Sequence, residues 1–480
     1  MFLRFDGSGA RYAQLARALK RLILEGQLKA GAALPATRVL AAQLGLSRNT
    51  VLTAYEMLRA EQLAVARGGS GTFVSTTIVA TRPPRPKAPA PPQSRYAERL
   101  RALPQPALRG RAPRLRYDLH YGEPLIDPPL ASAWRRELAR AAGGAQWGYP
   151  SPAGLRVLRQ AIAEYLARRR GVVCDADDVV VVSGTQQAVS LLARVLLDEG
   201  AWVAIEDPGY ELTSRALQAH GARLLPVKVD AEGLRVEALP RNRTVRLVQV
   251  TPSHQFPSGA TMSLARRLAL LDYAAERGCW VLEDDYDGEF RYDGAAIPAL
   301  RSLDLRGHVL YVGSFSKVLF PGLRLGYVVC PSGLRDDLIG AKRHDDLGCS
   351  SLEQAALAAL MHSGAFDRHL RHAAAELRRR RTALLEGLRR HCAAHLVVDD
   401  SQAGMHLVGW LPGWSARRTE ALATWAAGRG LGLHPIGPHY RRQPAPQGLL
   451  LGYAALSAKQ LHAATALLGE CLAQVAGQAM

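Results

Sequence analysis

The chain has 480 residues, 48% of them hydrophobic, and a formal net charge of +19. It is too long for one compact domain, and this apolar content can fill at least two cores. The N-terminal sequence has no apolar stretch ahead of a small-residue cleavage site, and no run of about 18 apolar residues occurs, so secretion and membrane spanning are not expected. Six scattered cysteines, without a CxxC pair or zinc-ligand spacing, predict a reduced, cytoplasmic protein without a metal site.

The positive charge is concentrated near the N-terminus. Residues 1–76 hold 10 Lys and Arg against 4 Asp and Glu, residues 77–116 hold 10 against 1, and the remaining residues hold 41 against 37. A basic arm ahead of a nearly neutral body favours a polyanionic partner, above all nucleic acid.

Apolar spacing at the start of the chain predicts three helices and a hairpin. The first covers 11–25, the second begins near Thr37 and ends at Gly45, and the third runs from Arg48 to Ala60 behind Ser47 as its N-cap. Two strand-like runs around a Gly-rich tip follow in residues 63–75. Two helices joined by a short Gly turn, followed by a wing, predict a winged helix-turn-helix. A generic small domain or a dimerisation module is the alternative.

The first turn of the third predicted helix presents Arg48, Asn49 and Thr50 to the major groove, and Arg38 is expected to contact a phosphate. The stretch LPATRVLAAQLGLSRNTVLTAYEMLRAEQLAVARGGSGTFV resembles the GntR-type winged helix-turn-helix. The resemblance implies that these four residues and the wing around Ser70 and Gly71 contact double-stranded operator DNA, with a dimer reading two half-sites.

Residues 77–116 contain nine prolines and ten basic residues with little apolar periodicity, which predicts a linker. As a flexible coil it would separate its ends by roughly 35 Å. We expect the arginines at 109, 111, 114 and 116 to add nonspecific contacts to DNA phosphates.

From about residue 117 onward, continuous apolar runs alternate with helical patterns such as 185–198 and 263–277. A long Arg-rich helix (368–391) then leads into a smaller α/β region. Continuous apolar strands separated by helices predict a mostly parallel sheet covered on both faces, with ligands at the carboxyl ends of the strands. The predicted strands are VVVVSG (179–184), WVAIEDP (202–208), VRLVQVTP (245–252), WVLEDD (280–285) and VLYVGS (309–314).

The segment SFSKVLFPGLRLGYVV (314–329) follows one of these strands. Lys317, in a partly apolar pocket, can lose its proton and form a Schiff base with an aldehyde, which is the chemistry that pyridoxal phosphate needs. The hydroxyls of Ser314 and Ser316 and the guanidinium of Arg324 suit a phosphate dianion. An ordinary surface lysine is the alternative for this segment taken alone.

Two further segments fit the same cofactor. Ser183, Gly184 and Thr185 join a strand to a helix, so backbone N–H groups and the positive helix end can hold a phosphate. The strand WVLEDDYDGEF ends in two adjacent carboxylates, and one of them placed at the pyridine nitrogen would keep the ring protonated. A solvated loop or a metal site is the alternative for such an acidic cluster.

Together these segments resemble the fold type I aminotransferases, and with the winged helix in front the chain resembles the MocR family of regulators over residues 9–470. The resemblance implies an N-terminal winged helix-turn-helix, then an α/β domain of the pyridoxal phosphate-dependent transferase fold type I, with a mostly parallel sheet and a smaller C-terminal α/β subdomain. The expected limits are 9–76 for the DNA-binding domain, 77–116 for the linker and 117–475 for the aminotransferase-like domain, divided into 150–365 and 366–475.

The resemblance also implies roles for single residues. Lys317 forms the Schiff base, Asp284 pairs with the pyridine nitrogen, Tyr286 binds the phenolic oxygen and Tyr210 stacks on the ring. Tyr149 in WGYPSPAG reaches the partner's phosphate, so that the site is complete only in a head-to-tail, domain-swapped homodimer. The cofactor phosphate is held by Ser183, Gly184, Thr185, Ser314 and Arg324.

Two departures from the aminotransferase pattern bear on activity. The element TPSHQFPSG has Phe256 where aminotransferases place an asparagine on the ring oxygen, and His254 or Gln255 is the substitute to consider. The strand that usually offers an arginine to the substrate carboxylate reads GLLLGYA, which leaves Arg441 or Arg442 just before it, or a solvated loop.

These features leave three hypotheses open. The favoured one is a transcription regulator that senses pyridoxal phosphate, or its adduct with a small amine or amino acid. A working aminotransferase that carries a DNA-binding domain is the second, and a DNA-binding protein with a dimerisation scaffold is the third. Any switch requires the ligand to prefer one domain arrangement, because equal affinity for both shifts nothing.

Overall fold

The computed structural model describes residues 3–77, 92–104, 115–144, 148–293, 297–399, 401–443 and 445–477. The chain divides into two units, Met1–Gln93 and Ser94–Met480. Among the helices of these described ranges, none combines the length and the apolar character that crossing a membrane requires.

The first unit is a three-helix core with a hairpin. Helices α1 (Arg11–Leu24), α2 (Thr37–Leu44) and α3 (Arg48–Ala60) precede strands β1 (Ala64–Arg67) and β2 (Gly71–Val74), which pair antiparallel. These bounds confirm the helices and the wing predicted from the sequence. The core is formed by one apolar face of each helix and the first and last residues of the hairpin, including Leu15, Leu19, Leu40, Val51, Leu58, Ala64 and Val74.

The second unit alternates helices and strands along most of its length. Its helices are α4 (Arg95–Ala102), α5 (Pro128–Gly143), α6 (Arg156–Arg170), α7 (Thr185–Leu196), α8 (Glu211–Ala219), α9 (Leu264–Arg277), α10 (Ser332–Asp346), α11 (Ser351–His362), α12 (Ala365–His391), α13 (Ala416–Gly428) and α14 (Ala458–Ala476). Its strands are β3 (Tyr117–Asp118), β4 (Val179–Val182), β5 (Trp202–Asp207), β6 (Arg223–Asp230), β7 (Gly233–Leu234), β8 (Val245–Val250), β9 (Trp280–Asp285), β10 (Val309–Ser314), β11 (Gly326–Val329), β12 (Val397–Asp399), β13 (His406–Trp410), β14 (Leu431–Gly432), β15 (His434–Pro435) and β16 (Gly448–Gly452).

The main sheet has eight strands in the order β4-β11-β10-β9-β8-β5-β6-β7. Strands β6, β5, β8, β9 and β10 are parallel to one another, whereas β11 is antiparallel to both β10 and β4. The carboxyl ends of β4, β5, β8, β9 and β10 and the amino end of β11 therefore lie along one edge. That edge is where an open α/β sheet places its ligands, and every predicted strand is part of this sheet.

The C-terminal part of the unit is built on a smaller antiparallel sheet, β12-β13-β16-β15. The long helix α12 packs against α14, and their apolar faces share a core with this sheet through residues such as Leu377, Leu384, Leu449 and Leu468. Helix α12 begins three residues before the predicted 368, because Gly364 has a φ of +69° and marks the start of the helix.

Helix α4 lies within the stretch that the sequence predicts to be a linker. None of its residues is buried, which agrees with the absence of apolar periodicity. Polar contacts hold it against α8 of the same unit: Arg99 Nε donates to the carbonyl of Ala219 at 2.9 Å, and Arg99 also pairs with Glu199 at 3.1 Å. These eight residues of the predicted linker are therefore helical. Contacts between a side chain and a distant backbone carbonyl hold them, and such contacts leave no apolar pattern in the sequence.

Candidate cofactor site and DNA-binding surface

The first turn of α3 carries the residues predicted to contact DNA. Ser47 caps the helix, since its Oγ accepts from the backbone N–H of Thr50 at 3.1 Å. Arg48 and Asn49 are exposed, Thr50 is half-buried, and Arg38 at the start of α2 is also exposed. The turn before α3 is held by Gly45, which ends α2 with a φ of +62°. The helix thus presents its N-terminal turn to solvent.

The hairpin tip lies beside the same core. Gly71 is exposed and has a φ of +108°, a conformation that suits glycine at the tip. Arg67, across the hairpin register from Gly71, stacks over the ring of Phe73 with 4.8 Å to the centroid. The predicted phosphate contacts of Arg109, Arg111 and Arg114 fall outside the described residues.

Lys317 follows β10 at the carboxyl edge of the main sheet and is half-buried. Its Nζ donates to the carbonyl of Gly122 at 2.7 Å, and a Cβ on Gly122 would lie 2.6 Å from that nitrogen. Burial lowers the pKa of the Lys317 ammonium, although the carboxylates of Asp287, Glu123 and Asp284 oppose the shift. A lysine with a lowered pKa is the amine that attack on an aldehyde requires.

The predicted phosphate cradle is formed by the β4–α7 turn and the start of β11. Arg324 Nη2 donates to the carbonyl of Ser183 at 2.7 Å, and its guanidinium lies against Gly184, where a Cβ would be 3.3 Å from two of its nitrogens. Gly184 has a φ of +84° and stands at the N-cap of α7, whose first helical residue is Thr185. Ser314 Oγ accepts from the backbone N–H of Ser316 at 3.1 Å. Ser314 is paired with Gly326 across β10 and β11, and a Cβ on Gly326 would lie 3.1 Å from Gly184 Cα. The guanidinium, Ser314 and the helix N-terminus therefore lie close together.

The two adjacent carboxylates at the end of β9 have different surroundings. Asp285 accepts hydrogen bonds from Arg170 Nε at 2.7 Å and from the Tyr311 hydroxyl at 2.6 Å. Asp284 is 5% exposed, and its Oδ1 has no hydrogen-bond partner among the described residues. Burial raises the pKa of Asp284 to about 7, and the charges of Asp285 and Glu206 add to the shift. Oδ1 of Asp285 also has no partner among the described residues, but its Oδ2 is held by Arg170 and Tyr311. Neither oxygen of Asp284 is bound in this way, so Asp284 is the carboxylate that is left for another group.

Tyr286 and His254 meet beside this carboxylate. The Tyr286 hydroxyl lies 3.0 Å from His254 Nδ1, and the same nitrogen lies 2.9 Å from Asp287 Oδ2. Both His254 and Asp287 are 1% exposed. A proton on Nδ1 faces both oxygens, which leaves the tyrosine hydrogen free to point elsewhere. Burial raises the pKa of Tyr286 well above its usual value, so its hydroxyl stays protonated near neutrality.

The contacts of Phe256, Gln255 and His254 show how the structure differs from the aminotransferase pattern at the first departure. Phe256 packs edge-on against the ring of Tyr210, with 5.6 Å between centroids. Gln255 is saturated: its amide donates to Glu206 and Pro208, and its oxygen accepts from Ser258. Of the two substitutes considered, only His254 reaches the Tyr286 hydroxyl.

The leucines of GLLLGYA form β16, whose five residues are all buried. The nearby Arg442 Nη2 donates to the carbonyl of Pro226 at 2.5 Å, whereas Arg441 lines a cavity next to Glu206. Tyr149 is 88% exposed and is not brought to Lys317 within one chain.

Sequence reasoning missed several residues that shape this site. Gly122 and Glu123 act on Lys317 from a segment nearly 200 residues away, and no pattern connects the two. Asp287 could have been predicted, because it belongs to the same EDDYDG run as Asp284. Within the described ranges, no group of three or more His, Cys, Asp or Glu side chains is arranged to hold a metal.

Comparisons with known proteins agree with this geometry. Residues 117–425 match the family "Aminotransferase class I and II", and residues 11–74 match "Bacterial regulatory proteins, gntR family". Over 462 residues the chain is 39% identical to the probable rhizopine catabolism regulatory protein MocR of Rhizobium meliloti, and the match covers 95% of this chain and 92% of that protein.

Two more proteins are similar to this chain, one a regulator and the other an aminotransferase. The pyridoxine biosynthesis transcriptional regulator PdxR of Corynebacterium glutamicum is 30% identical, over 92% of this chain and 91% of that protein. The crystal structure of LysN, the α-aminoadipate aminotransferase of Thermus thermophilus complexed with N-(5'-phosphopyridoxyl)-L-leucine, superposes with a TM-score of 0.71 and 29% identity, over 80% of this chain and 98% of that one.

Proposed function

The chain belongs to the MocR-type transcriptional regulators, in which a GntR helix-turn-helix precedes an aminotransferase class I and II domain, and on that premise we propose that it binds operator DNA in response to a ligand held with pyridoxal phosphate on Lys317. The observation that carries the proposal is the meeting of Lys317, Asp284 and Arg324 at one edge of the sheet.

The residues present fit the cofactor. Asp284 Oδ1 is buried without a partner among the described residues, and a pyridinium N–H would supply the missing donor. Gly184 lets the Arg324 guanidinium approach the helix N-terminus, where a phosphate dianion would be bound by backbone and guanidinium N–H groups. Tyr286, whose hydroxyl contacts His254 Nδ1, is suited to donate to the phenolic oxygen.

Pyridoxal phosphate, when bound, supplies an aldehyde that condenses with amines. The chain's own contribution is to keep the Lys317 amine reactive by burial, and Asp284 would be the group that holds the ring nitrogen. Tyr210, whose ring packs on Phe256, would cover one face of the cofactor and exclude water from it. If an effector amine took the place of Lys317 on the cofactor, the lysine side chain would be free, and a domain arrangement that this state prefers would gain population.

Two observations favour sensing over turnover. Phe256 places an apolar ring where aminotransferases place an asparagine, and β16 offers buried leucines where they place an arginine. A site that lacks these polar groups binds the substrate carboxylate and ring oxygen less strongly in the transition state, which lowers the rate of transamination.

We also propose a head-to-tail homodimer in the cytoplasm. Tyr149 is a large aromatic side chain that is almost fully exposed in one chain, and a hydroxyl at its tip suits a phosphate of the partner. A two-fold dimer would carry two copies of α3, as two DNA half-sites require.

The first test is the visible absorbance spectrum with and without added pyridoxal phosphate. Wild-type protein and the Lys228→Ala variant, in which an exposed lysine is removed, should both show the band of a lysine-bound cofactor. Lys317→Ala should not. Operator affinity measured by fluorescence anisotropy should depend on the cofactor and on added amines in wild type, and should lose that dependence in Lys317→Ala.

The outcomes separate the three functions. A band without any effect of amines on operator binding, together with steady conversion of a keto acid, would favour the tethered aminotransferase. No band at excess cofactor in wild type would contradict the site and leave the scaffold function.

A further inference from the structure

A cavity of about 320 Å³ lies on the far side of the wall formed by Glu206 and His439. The same two residues contact the cofactor side: Glu206 accepts from the Thr251 hydroxyl at 2.6 Å, and the His439 ring packs on Phe256 at 4.9 Å. The lining of the cavity includes none of Lys317, Asp284 and Arg324, although its residue His439 contacts Phe256 next to them. Its volume is at the lower end of the range for small-molecule sites.

Two arginines face this cavity. Arg215 projects from α8, and its Nη2 pairs with Glu211 one turn earlier. Its side chain is only 14% exposed, and its Nε and Nη1 are buried and have no hydrogen-bond partner among the described residues. Arg441 comes from the opposite loop, where its backbone N–H donates to Asp207 at 2.8 Å. Unpartnered donors of a buried guanidinium call for an acceptor.

The ligand chemistry follows from these donors. A guanidinium offers two parallel N–H groups that match the two oxygens of a carboxylate. Glu211 neutralises Arg215, and burial raises the pKa of the Glu206 carboxyl in the wall to about 7. With Glu206 protonated, the cavity keeps a net preference for one negative group. The buried Nδ1 of His439 also has no partner in the described part of the chain and can take up a second polar group of a short ligand.

The third wall is formed by residues 102–104, at the end of α4. Helix α4 has no buried residue and is held by Arg99 and Arg95 on Glu199 and by the ring of Tyr96 beside His220. A ligand in the cavity would touch the end of α4, and its binding energy would add to contacts of α4 that are weak by themselves.

We propose that this cavity, bounded by α8, the 438–441 loop and the end of α4, binds a small dicarboxylate or amino acid through a carboxylate held by Arg215 and Arg441, and thereby fixes α4 on the aminotransferase-like unit. The site does not need the cofactor. It gives the protein a second input, next to the one at Lys317.

The test is calorimetric titration of the full-length protein with glutarate at constant ionic strength. Glutarate should bind saturably, and dimethyl glutarate, which lacks the charge, should not. Arg215→Gln and Arg441→Gln should each weaken binding at least about tenfold, whereas Arg246→Gln, an exposed arginine of β8, should bind as wild type does. Titration with L-glutamate distinguishes a plain dicarboxylate from an amino acid.

Two variants keep the result interpretable. Glu211→Gln removes the carboxylate that competes for Arg215 and should tighten glutarate binding, which a damaged fold would not do. Lys317→Ala should bind glutarate as well as wild type does, and hydrogen exchange of residues 95–104 should slow in both when glutarate is added. Absence of saturable binding, equal affinity in both arginine variants and wild type, loss of binding in Lys317→Ala or unchanged exchange of α4 would overturn the proposal. Loss in Lys317→Ala would place the ligand on the cofactor and leave the function proposed above intact.

Discussion

The two units of the molecule use charged residues in opposite ways. In the first unit, Arg38 and Arg48 are exposed at helix starts, so their charges are solvated until a polyanion approaches. In the second unit, Glu206, Glu283, Asp284, Asp285 and Asp287 are each at most 5% exposed around the end of β9. Solvated charges contribute little to stability and much to association. Buried charges are costly unless they are paired, and their cost is tolerated where it prepares a site.

The largest effect is expected where a buried charge is paired. Arg170, 1% exposed, binds Asp285 and also donates to Ser253 and to two backbone carbonyls. Arg170→Met leaves Asp285 buried without its counter-ion and should lower the free energy of unfolding by about 3–5 kcal/mol. Urea denaturation measures the difference. The neighbouring Arg169, which pairs with Asp367 near the surface, is the control.

Arg169→Met should cost about 1 kcal/mol or less, because a partly exposed pair is screened by solvent. If both variants lost the same free energy of unfolding, burial would not be what makes the Arg170 ion pair more important than the Arg169 ion pair.

The next effect comes from a buried charge that lacks a partner. Because burial raises the pKa of Asp284 to about 7, the folded protein holds this proton to a higher pH than the unfolded chain does. The stability that this group contributes is present below about pH 4 and is lost as the pH rises through about 7. In cofactor-free protein, Asp284→Asn should therefore lose roughly 2–4 kcal/mol less than wild type between pH 5 and pH 8.

Unfolding followed at several pH values measures this difference. Asp336→Asn, which removes a carboxylate that is 91% exposed, should follow wild type throughout. With saturating pyridoxal phosphate, wild type should instead be the more stable of the two proteins at pH 8, because only the Asp284 carboxylate gains a partner. Parallel pH curves for cofactor-free Asp284→Asn and wild type would show that the carboxylate is solvated.

The same contrast explains what the sequence could predict. The DNA-binding unit is encoded locally: Ser47, Gly45 and the apolar faces of three helices each act within a few residues, and the observed helix limits agree with those signals. The strands of the main sheet were also predictable, because continuous apolar runs have one common explanation in an α/β fold. Lys317 and the pair of carboxylates at 284 and 285 lie at strand ends, and all strand ends of a parallel sheet meet at one edge. The choice of Asp284 within that pair came from the resemblance to the aminotransferases.

The remaining contacts are set by distant segments. The carbonyl of Gly122 on Lys317, the pairing of Asp285 with Arg170 and the docking of α4 on Ala219 join residues more than 100 positions apart. No local pattern distinguishes Asp284 from Asp285, since both are acidic residues at the end of the same strand. Arg170 and Tyr311, which both donate to Asp285 Oδ2, assign this carboxylate to the fold and leave Asp284 for a ligand.

Glycines give a smaller and cleaner comparison of the two units. Gly404 has a φ of +76°, and a Cβ there would lie 2.0 Å from His254 Cε1. Gly45 has a φ of +62° with open space around it. Gly404→Ala should cost about 2–3 kcal/mol, from backbone strain together with displacement of His254, and Gly45→Ala should cost about 1 kcal/mol from strain alone. Thermal unfolding measures both.

A changed spectrum of bound pyridoxal phosphate in Gly404→Ala would support the displacement of His254 from Tyr286. If Gly404→Ala and Gly45→Ala lowered the free energy of unfolding equally, the close packing of Gly404 against His254 would not contribute to stability.

The smallest effect on stability is expected at the DNA surface, where the effect on function is large. Arg48→Met removes an exposed charge and should change the free energy of unfolding by no more than about 0.5 kcal/mol. If Arg48 reads a base edge, the variant should bind a selected operator about 1–3 kcal/mol more weakly and keep its affinity for scrambled DNA. Arg38→Met, at a predicted phosphate contact, should instead weaken both DNAs and lower the slope of log affinity against log salt by about 1.

Anisotropy titrations of both DNAs at several salt concentrations separate these two patterns. If Arg48→Met weakens both DNAs equally and changes the salt slope as Arg38→Met does, then α3 binds phosphates and another element carries the specificity. The hairpin tip around Gly71 would then be the element to test, because it is the other exposed part of this unit predicted to meet DNA. The two units would still use charged residues in opposite ways, since a solvated phosphate contact and a solvated base contact differ in what they recognise and not in what they cost the fold.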